Sequence, residues 1–89
     1  MTTIFVKHTV ADYSAWRKVY DDFDSVRKPM GVTSAAVYQG VDNPNDVTVT
    51  HDFATAQAAQ AFASSPELKK AMESAGVVGA PTIWFANKA

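Results

Sequence analysis

Cysteine is absent from this 89-residue chain, which excludes disulfides and thiolate metal sites. Long apolar runs are missing too, so no segment approaches the length of a membrane span. The first ten residues reach Lys7 and His8 after only a few apolar positions, unlike the apolar segment of a signal peptide; the expected location is the cytoplasm. Neither sign of charge dominates, the net charge being −1 with both signs scattered. Nucleic-acid binding wants clustered Lys and Arg, and membrane adhesion wants a polybasic patch, so neither partner is expected. There is no Gly-rich phosphate loop and no nucleophile elbow around a serine. What is present is a 47% apolar fraction, ordinary for a globular protein. The length gives one domain, residues 1–89, whose core is marginal by itself. With disulfides excluded, oligomerisation is the remedy to expect.

Residues 1–10 are rich in β-branched and aromatic side chains and predict a strand. Asp12 is placed to cap a helix. Tyr13, Trp16, Val19, Tyr20, Phe23 and Val26 recur at helical spacing, and Pro29 with Gly31 stops that helix. A second strand spans 32–40. Asp42-Asn43-Pro44-Asn45-Asp46 is a turn cluster, and 47–53 alternates cleanly as a third strand. A helix runs from the Thr55 cap to Phe62, restarts at Ser65-Pro66, and ends at Gly76. Pro81 opens the last strand, 82–87, after a loop containing Gly76 and Gly79. Residues 6–11 (VKHTVA) echo residues 49–54 (VTHDFA). That offset of half the chain suits a two-fold β-α-β repeat. Right-handed crossovers then place strands one and three side by side at the sheet centre. The fold class is α+β: a ferredoxin-like βαββαβ unit with a four-stranded antiparallel sheet.

Parity divides the sheet into two faces. Ile4, Val6, His8, Tyr38, Val47, Val49, His51, Phe53, Ile83 and Phe85 share the side expected under the helices. Phe5, Lys7, Ala35, Val37, Thr48, Thr50 and Trp84 share the other. That second face is too apolar to be left comfortably in water yet too polar for a dry core, and a second copy of the sheet is expected to cover it, giving a homodimer through Phe5, Val37 and Trp84.

His8 and His51 alternate with valines and so should face the helix layer. Each imidazole has two readings: a core ring satisfied internally, or the wall of a pocket where neutral imidazole serves as general base. The spacing between them depends on the strand register. Asp52 adjoins His51 but points to the opposite face. Trp16, Tyr20 and Tyr38 are placed to meet the histidines, with Tyr13 near the strand exit and Phe62 on the second helix. So many polar-ended rings in a small core call for a cavity that admits water or a ligand. The candidate catalytic residues are therefore His8 and His51. Trp16, Tyr20, Tyr38, Tyr13 and Phe62 are the candidate substrate-binding residues. No spaced metal-ligand motif occurs; no cofactor is expected, and nothing specific favours haem or a metal.

Residues 8–16 (HTVADYSAW), the 42–45 turn (DNPN), residues 61–68 (AFASSPEL) and residues 75–77 (AGV) resemble small bacterial proteins of the dimeric α+β barrel superfamily. That group includes antibiotic-biosynthesis monooxygenase-like proteins, stress-responsive barrel proteins and some polyketide cyclases. The resemblance implies a ferredoxin-like protomer, a homodimer with facing sheets, and a pocket between sheet and helices. Its activities include cofactor-independent oxygenation of aromatic or quinol-like compounds, cyclisation and haem degradation. The haem-degrading members use an Asn, Trp and His set; Trp16 matches it loosely, and no Asn stands in the first strand. The implied function is a small-molecule pocket, as a cofactor-free monooxygenase or cyclase for an aromatic or polyketide-like compound. The alternatives are a non-catalytic binding or sensing module for an apolar ligand, and a structural dimer.

Overall fold

Strand β1 (Thr2–Val10) alternates buried and outward-facing residues, burying Thr2, Ile4, Val6, His8 and Val10 on one side. The computed structural model describes residues 1–89, and β1 is followed by α1 (Tyr13–Asp22), α2 (Asp24–Arg27), β2 (Val32–Gln39), β3 (Asp46–Phe53), α3 (Ala56–Ala63), α4 (Pro66–Ser74) and β4 (Val77–Asn87). The sheet is antiparallel throughout, in the order β2-β3-β1-β4. The expected ferredoxin-like arrangement, with β1 and β3 central, is the one observed. β1 and β3 pair from Thr2↔Phe53 to Thr9↔Asp46. The helices cover one face. Phe53 and Phe62 are fully buried between the layers, each worth about 1.5–3 kcal/mol of apolar burial.

Local chemistry explains the helix ends. Thr55 accepts a hydrogen bond from the Ala58 N–H at 3.1 Å, and Ser65 accepts one from Leu68 at 3.3 Å with Pro66 opening α4. Gly31 and Gly76 take φ of +98° and +76° after their helices, a conformation that costs glycine least. The cap expected from Asp12 is not made. Asp12 stands at the N-cap position without a side-chain bond, and the Tyr13 N–H donates instead to Asn45 Oδ1 at 3.1 Å. The turn cluster before β3 thus caps α1 across the sheet end.

Two further expectations need correction. β4 begins at Val77, not Thr82: Val77 and Val78 pair with Val10 and Thr9 before an irregularity that contains Gly79 and Pro81. β2 also carries an extra residue. Val32 pairs with Phe53, but Ser34 pairs with Asp52, so Thr33 is a bulge. One extra residue inverts every following side chain. Val37 opposite Val49 and Ala35 opposite His51 therefore lie on the helix side. Tyr38 lies opposite Thr48 on the open face, 58% exposed. Tyr38 is not a pocket residue, and Val37 does not belong to the open face.

Candidate functional site

Under α1 lies a half-enclosed cavity of about 50 Å³ with twelve lining residues, of which ten are hydrophobic and the other two are His8 and His51. β1 supplies Val6 and His8, β3 supplies Val49 and His51, and α1 supplies Trp16, Val19 and Tyr20. α3 contributes Phe62, while Leu68, Ala71, Met72 and Ala75 close the wall from α4 and its C-cap. Five expected site residues thus meet: His8, His51, Trp16, Tyr20 and Phe62. Tyr13 touches this group only through Trp16, 5.7 Å between ring centroids, and its hydroxyl accepts from Arg17. Val19, Leu68, Ala71 and Met72 read as ordinary helical stripes in the sequence; only the fold shows that they border a hollow.

The rings form a continuous path. Centroid separations are 5.7 Å for His8–Trp16, 5.0 Å for Trp16–Tyr20, 6.3 Å for Tyr20–His51 and 5.1 Å for His51–Phe62. Trp16 and Tyr20, one helical turn apart, span the gap between the histidines. That gap follows from the register: His8 faces Val47, while His51 faces Ile4. Four residues at roughly 3.4 Å each separate their Cα atoms by about 14 Å along the strands. The imidazoles therefore stand at opposite ends of the cavity and cannot share one metal ion.

His8 and His51 are 7% and 4% exposed, yet both ring nitrogens of His8 and Nδ1 of His51 have no hydrogen-bond partner. Buried polar atoms are nearly always paired, with protein or with water. Desolvation lowers the pKa of both rings, that of His51 to about 4, with the positive charge of Arg27 pushing it the same way and Asp52 opposing. Both are neutral at pH 7. Asp52 does not orient His51: its carboxylate accepts from the Thr3 and Ser34 hydroxyls on the open face.

Arg27 is the buried charge beside the cavity that sequence reasoning passed over. It is 5% exposed, its guanidinium lies 4.0 Å from the Tyr20 ring centroid, and Nη1 donates to the Tyr20 carbonyl at 2.7 Å. Asp24 is its ion-pair partner at 3.5 Å. Arg27 falls seven residues after Tyr20 and four after Phe23, on the apolar stripe, and a cation at that spacing was the available clue. Burial raises the pKa of the Tyr20 hydroxyl, which keeps it protonated and able to donate. The cavity is thus lined by two neutral imidazoles and the Tyr20 ring among flat apolar walls, with the fixed positive charge of Arg27 against that ring. Those groups can remove a proton from an acidic ligand and stabilise the resulting anion.

Among solved structures, a Bordetella bronchiseptica protein described as an antibiotic biosynthesis monooxygenase is similar, with a TM-score of 0.85, 12% identity, and coverage of 99% of this chain and 96% of that one. A Caulobacter crescentus CB15 protein of the same description gives 0.79 at 17% identity, covering 99% and 89%. SnoaB from Streptomyces nogalater, a cofactor-independent oxygenase, gives 0.76 at 12% identity, covering 99% and 94%. At such identities these likenesses concern the fold. A search of curated proteins gives no match to the sequence. No helix is long and apolar enough to cross a membrane. The sequence model of one family, antibiotic biosynthesis monooxygenase, matches residues 3–74, most of the chain and all but one of the residues lining the cavity, and the chain belongs to that family.

Proposed function

We propose that the protein is a cofactor-free monooxygenase for a flat, acidic aromatic compound held between His8 and His51. The observation that carries this reading is the set of three buried imidazole nitrogens without protein partners in an otherwise apolar cavity. The similarity to SnoaB, a cofactor-independent oxygenase, supports it. A long, flat ligand suits two histidines whose Cα atoms stand about 14 Å apart by strand geometry. His8, which has no cation beside it, takes a proton from a phenol or its keto tautomer. Tyr20 and His51 donate hydrogen bonds to the enolate oxygen, with the Arg27 charge favouring the anion. Trp16 packs on the ring. The electron-rich anion passes one electron to O2, and the radical pair joins as a C–O–O bond at a ring CH2. Loss of water from that hydroperoxide leaves a ketone, so one oxygen atom enters the product and the other leaves as water. No external reductant is needed.

The cavity as it stands has room for about three to five waters, at roughly 10–15 Å³ each. Ligand entry therefore requires a wall to move, and α4, none of whose residues is fully buried, is the wall least anchored. We propose also that the protomer pairs with a second copy through the open sheet face, where Phe5 and Trp84 stack at 5.2 Å and Trp84 is 42% exposed.

The test is oxygen uptake with hydroxylated naphthols and anthrones in metal-free, flavin-free buffer. One O2 consumed per ketone formed is expected, with His8→Ala lowering kcat by about a hundredfold or more. Melting-point elevation by a ligand without oxygen uptake would replace the oxygenase with a binding module, and isomerisation without oxygen uptake would indicate a cyclase.

A further inference from the structure

The resting cavity selects its occupant by size and lining. At about 50 Å³ it falls well short of the roughly 150 Å³ of an apolar cavity that takes up benzene. A molecule of two heavy atoms needs the room of about two waters, roughly 20–30 Å³ on the same measure, and fits with every wall in place. Water itself is a poor occupant. A buried water makes about three hydrogen bonds, whereas nearly all the surface of this cavity is carbon. The unpartnered nitrogens, both of His8 and Nδ1 of His51, are out of solvent contact. Val6 and Val49 face each other across the β1–β3 seam and form the floor. Each strand carries its histidine two residues further on, so this pair lies midway between the histidines, about 7 Å along the strands from either. The wall opposite Trp16 and Tyr20 holds only Leu68, Ala71, Met72 and Ala75, none with a polar side chain. Leu68 and Met72 also line the open groove outside α4. The three rotatable bonds of methionine let a small molecule pass from that groove at little cost.

We propose that the α4 side of the inner cavity is a dioxygen site, an apolar chamber that holds O2 over Val6 and Val49. Dioxygen is apolar and leaves water readily for such surroundings. When the wall moves to admit an aromatic ring beneath Trp16 and Tyr20, that ring meets O2 already in place. The gas site stands on the volume and lining of the cavity; that O2 is consumed there rests on the oxygenase reading, to which it adds the position of the second substrate.

The test uses O2 and xenon on the unaltered protein. Dissolved O2 is paramagnetic and speeds the relaxation of nuclei it approaches. Methyl NMR spectra are compared under raised O2 pressure and under the same pressure of N2. The methyls of Val6 and Val49 are expected to gain relaxation several-fold more than those of Val10, Val47 and Ala59, which are as deeply buried but do not line the cavity. Equal enhancement in the two groups overturns the site. Crystals under xenon pressure are expected to hold a xenon atom over the valine pair, and ordered water filling that space overturns the site as well. In oxygen-uptake assays with a naphthol, xenon at a concentration equal to its own Kd should about double the KM for O2 and leave kcat and the KM for the naphthol unchanged. A raised KM for the naphthol with that for O2 unmoved gives the cavity to the organic ligand alone and overturns the proposal. Enhancement at Val6 and Val49 without oxygen uptake from any phenol leaves the gas site standing and removes the oxygenase reading. Oxygen uptake without that enhancement does the reverse.

Discussion

The inward direction of His8 and His51 was legible because each alternates with valines along a strand, and strand parity leaves no other choice. Their isolation from protein partners was not legible, because it depends on what packs above them. It has a measurable consequence for stability. An unfolded imidazole titrates near 6.5, while His51 in the fold titrates at about 4. Between those values the unfolded chain holds a proton that the native state refuses, so stability falls as pH drops from about 6.5 to about 4. The loss approaches ~3 kcal/mol for this ring, and the lowered pKa of His8 adds in the same direction. Above pH 6.5 the contribution is constant. Urea midpoints measured from pH 7.5 to 4.5 should decline, and His51→Phe should flatten the decline; parallel curves for the two proteins would refute the assignment. Arg27 acts on the same ring. Arg27→Met removes the cation facing His51, leaving Asp52 from its own strand and the Tyr20 ring, so the His51 midpoint moves up. A midpoint followed by imidazole NMR that stays put or moves down would show that desolvation acts alone. Arg27→Lys retains the charge and should hold the midpoint near its original value while weakening the stacking on Tyr20.

Elements were legible wherever their signals were local. The Thr55 and Ser65 caps, the Pro66 start and the stops at Gly31 and Gly76 each belong to one short segment. Errors arose where a distant segment decides. The α1 cap comes from Asn45, more than thirty residues beyond Tyr13, and periodicity carries no information about such a partner. Asn45→Ala should therefore cost about 1 kcal/mol, while Asp12→Ala stays within about 0.5 kcal/mol. Thermal melts of the two variants check this, and the opposite order would restore Asp12 as the cap. The Thr33 bulge is a second case. Val32 correctly points inward against Phe53, so extrapolating its parity puts Tyr38 in the pocket; the single unpaired residue reverses that. No local signal marks it. The sheet accepts Val37 inward against Val49 and turns Tyr38 outward, which removes one donor from the site and adds one ring to the open face.

At the scale of the whole molecule, the internal echo and the register agree. Shifting the pair His8↔Val47 by 43 residues, with the chain roles exchanged, gives His51↔Ile4, which is also a pair. The two halves are thus related by a pseudo-two-fold axis through the β1–β3 seam, and the histidines are equivalent positions in each. The helices break that equivalence. α1 brings Trp16 and Tyr20, whereas α3 brings Ala59 and Ala63 at the matching positions, so the cavity is lined by rings on one side and closed by α4 on the other. The opposite face of the sheet has no such cover. Across its middle run Ala36, Thr50, Phe5 and Trp84, each opposite the next, with Tyr38 exposed one row away. Stacked aromatics in the centre of an apolar face are typical anchors of a protein interface, and a chain this short gains most from burying them. Trp84→Ala should then weaken self-association by about 2 kcal/mol, roughly thirtyfold in Kd. Because Trp84 is on the face away from the histidines, the variant should leave the His51 midpoint unchanged. Sedimentation equilibrium over a micromolar concentration range reads the first effect and NMR titration the second. If the unaltered protein sediments as a monomer throughout that range, the open face is not a dimer interface; if Trp84→Ala moves the His51 midpoint, the two faces are coupled through the sheet.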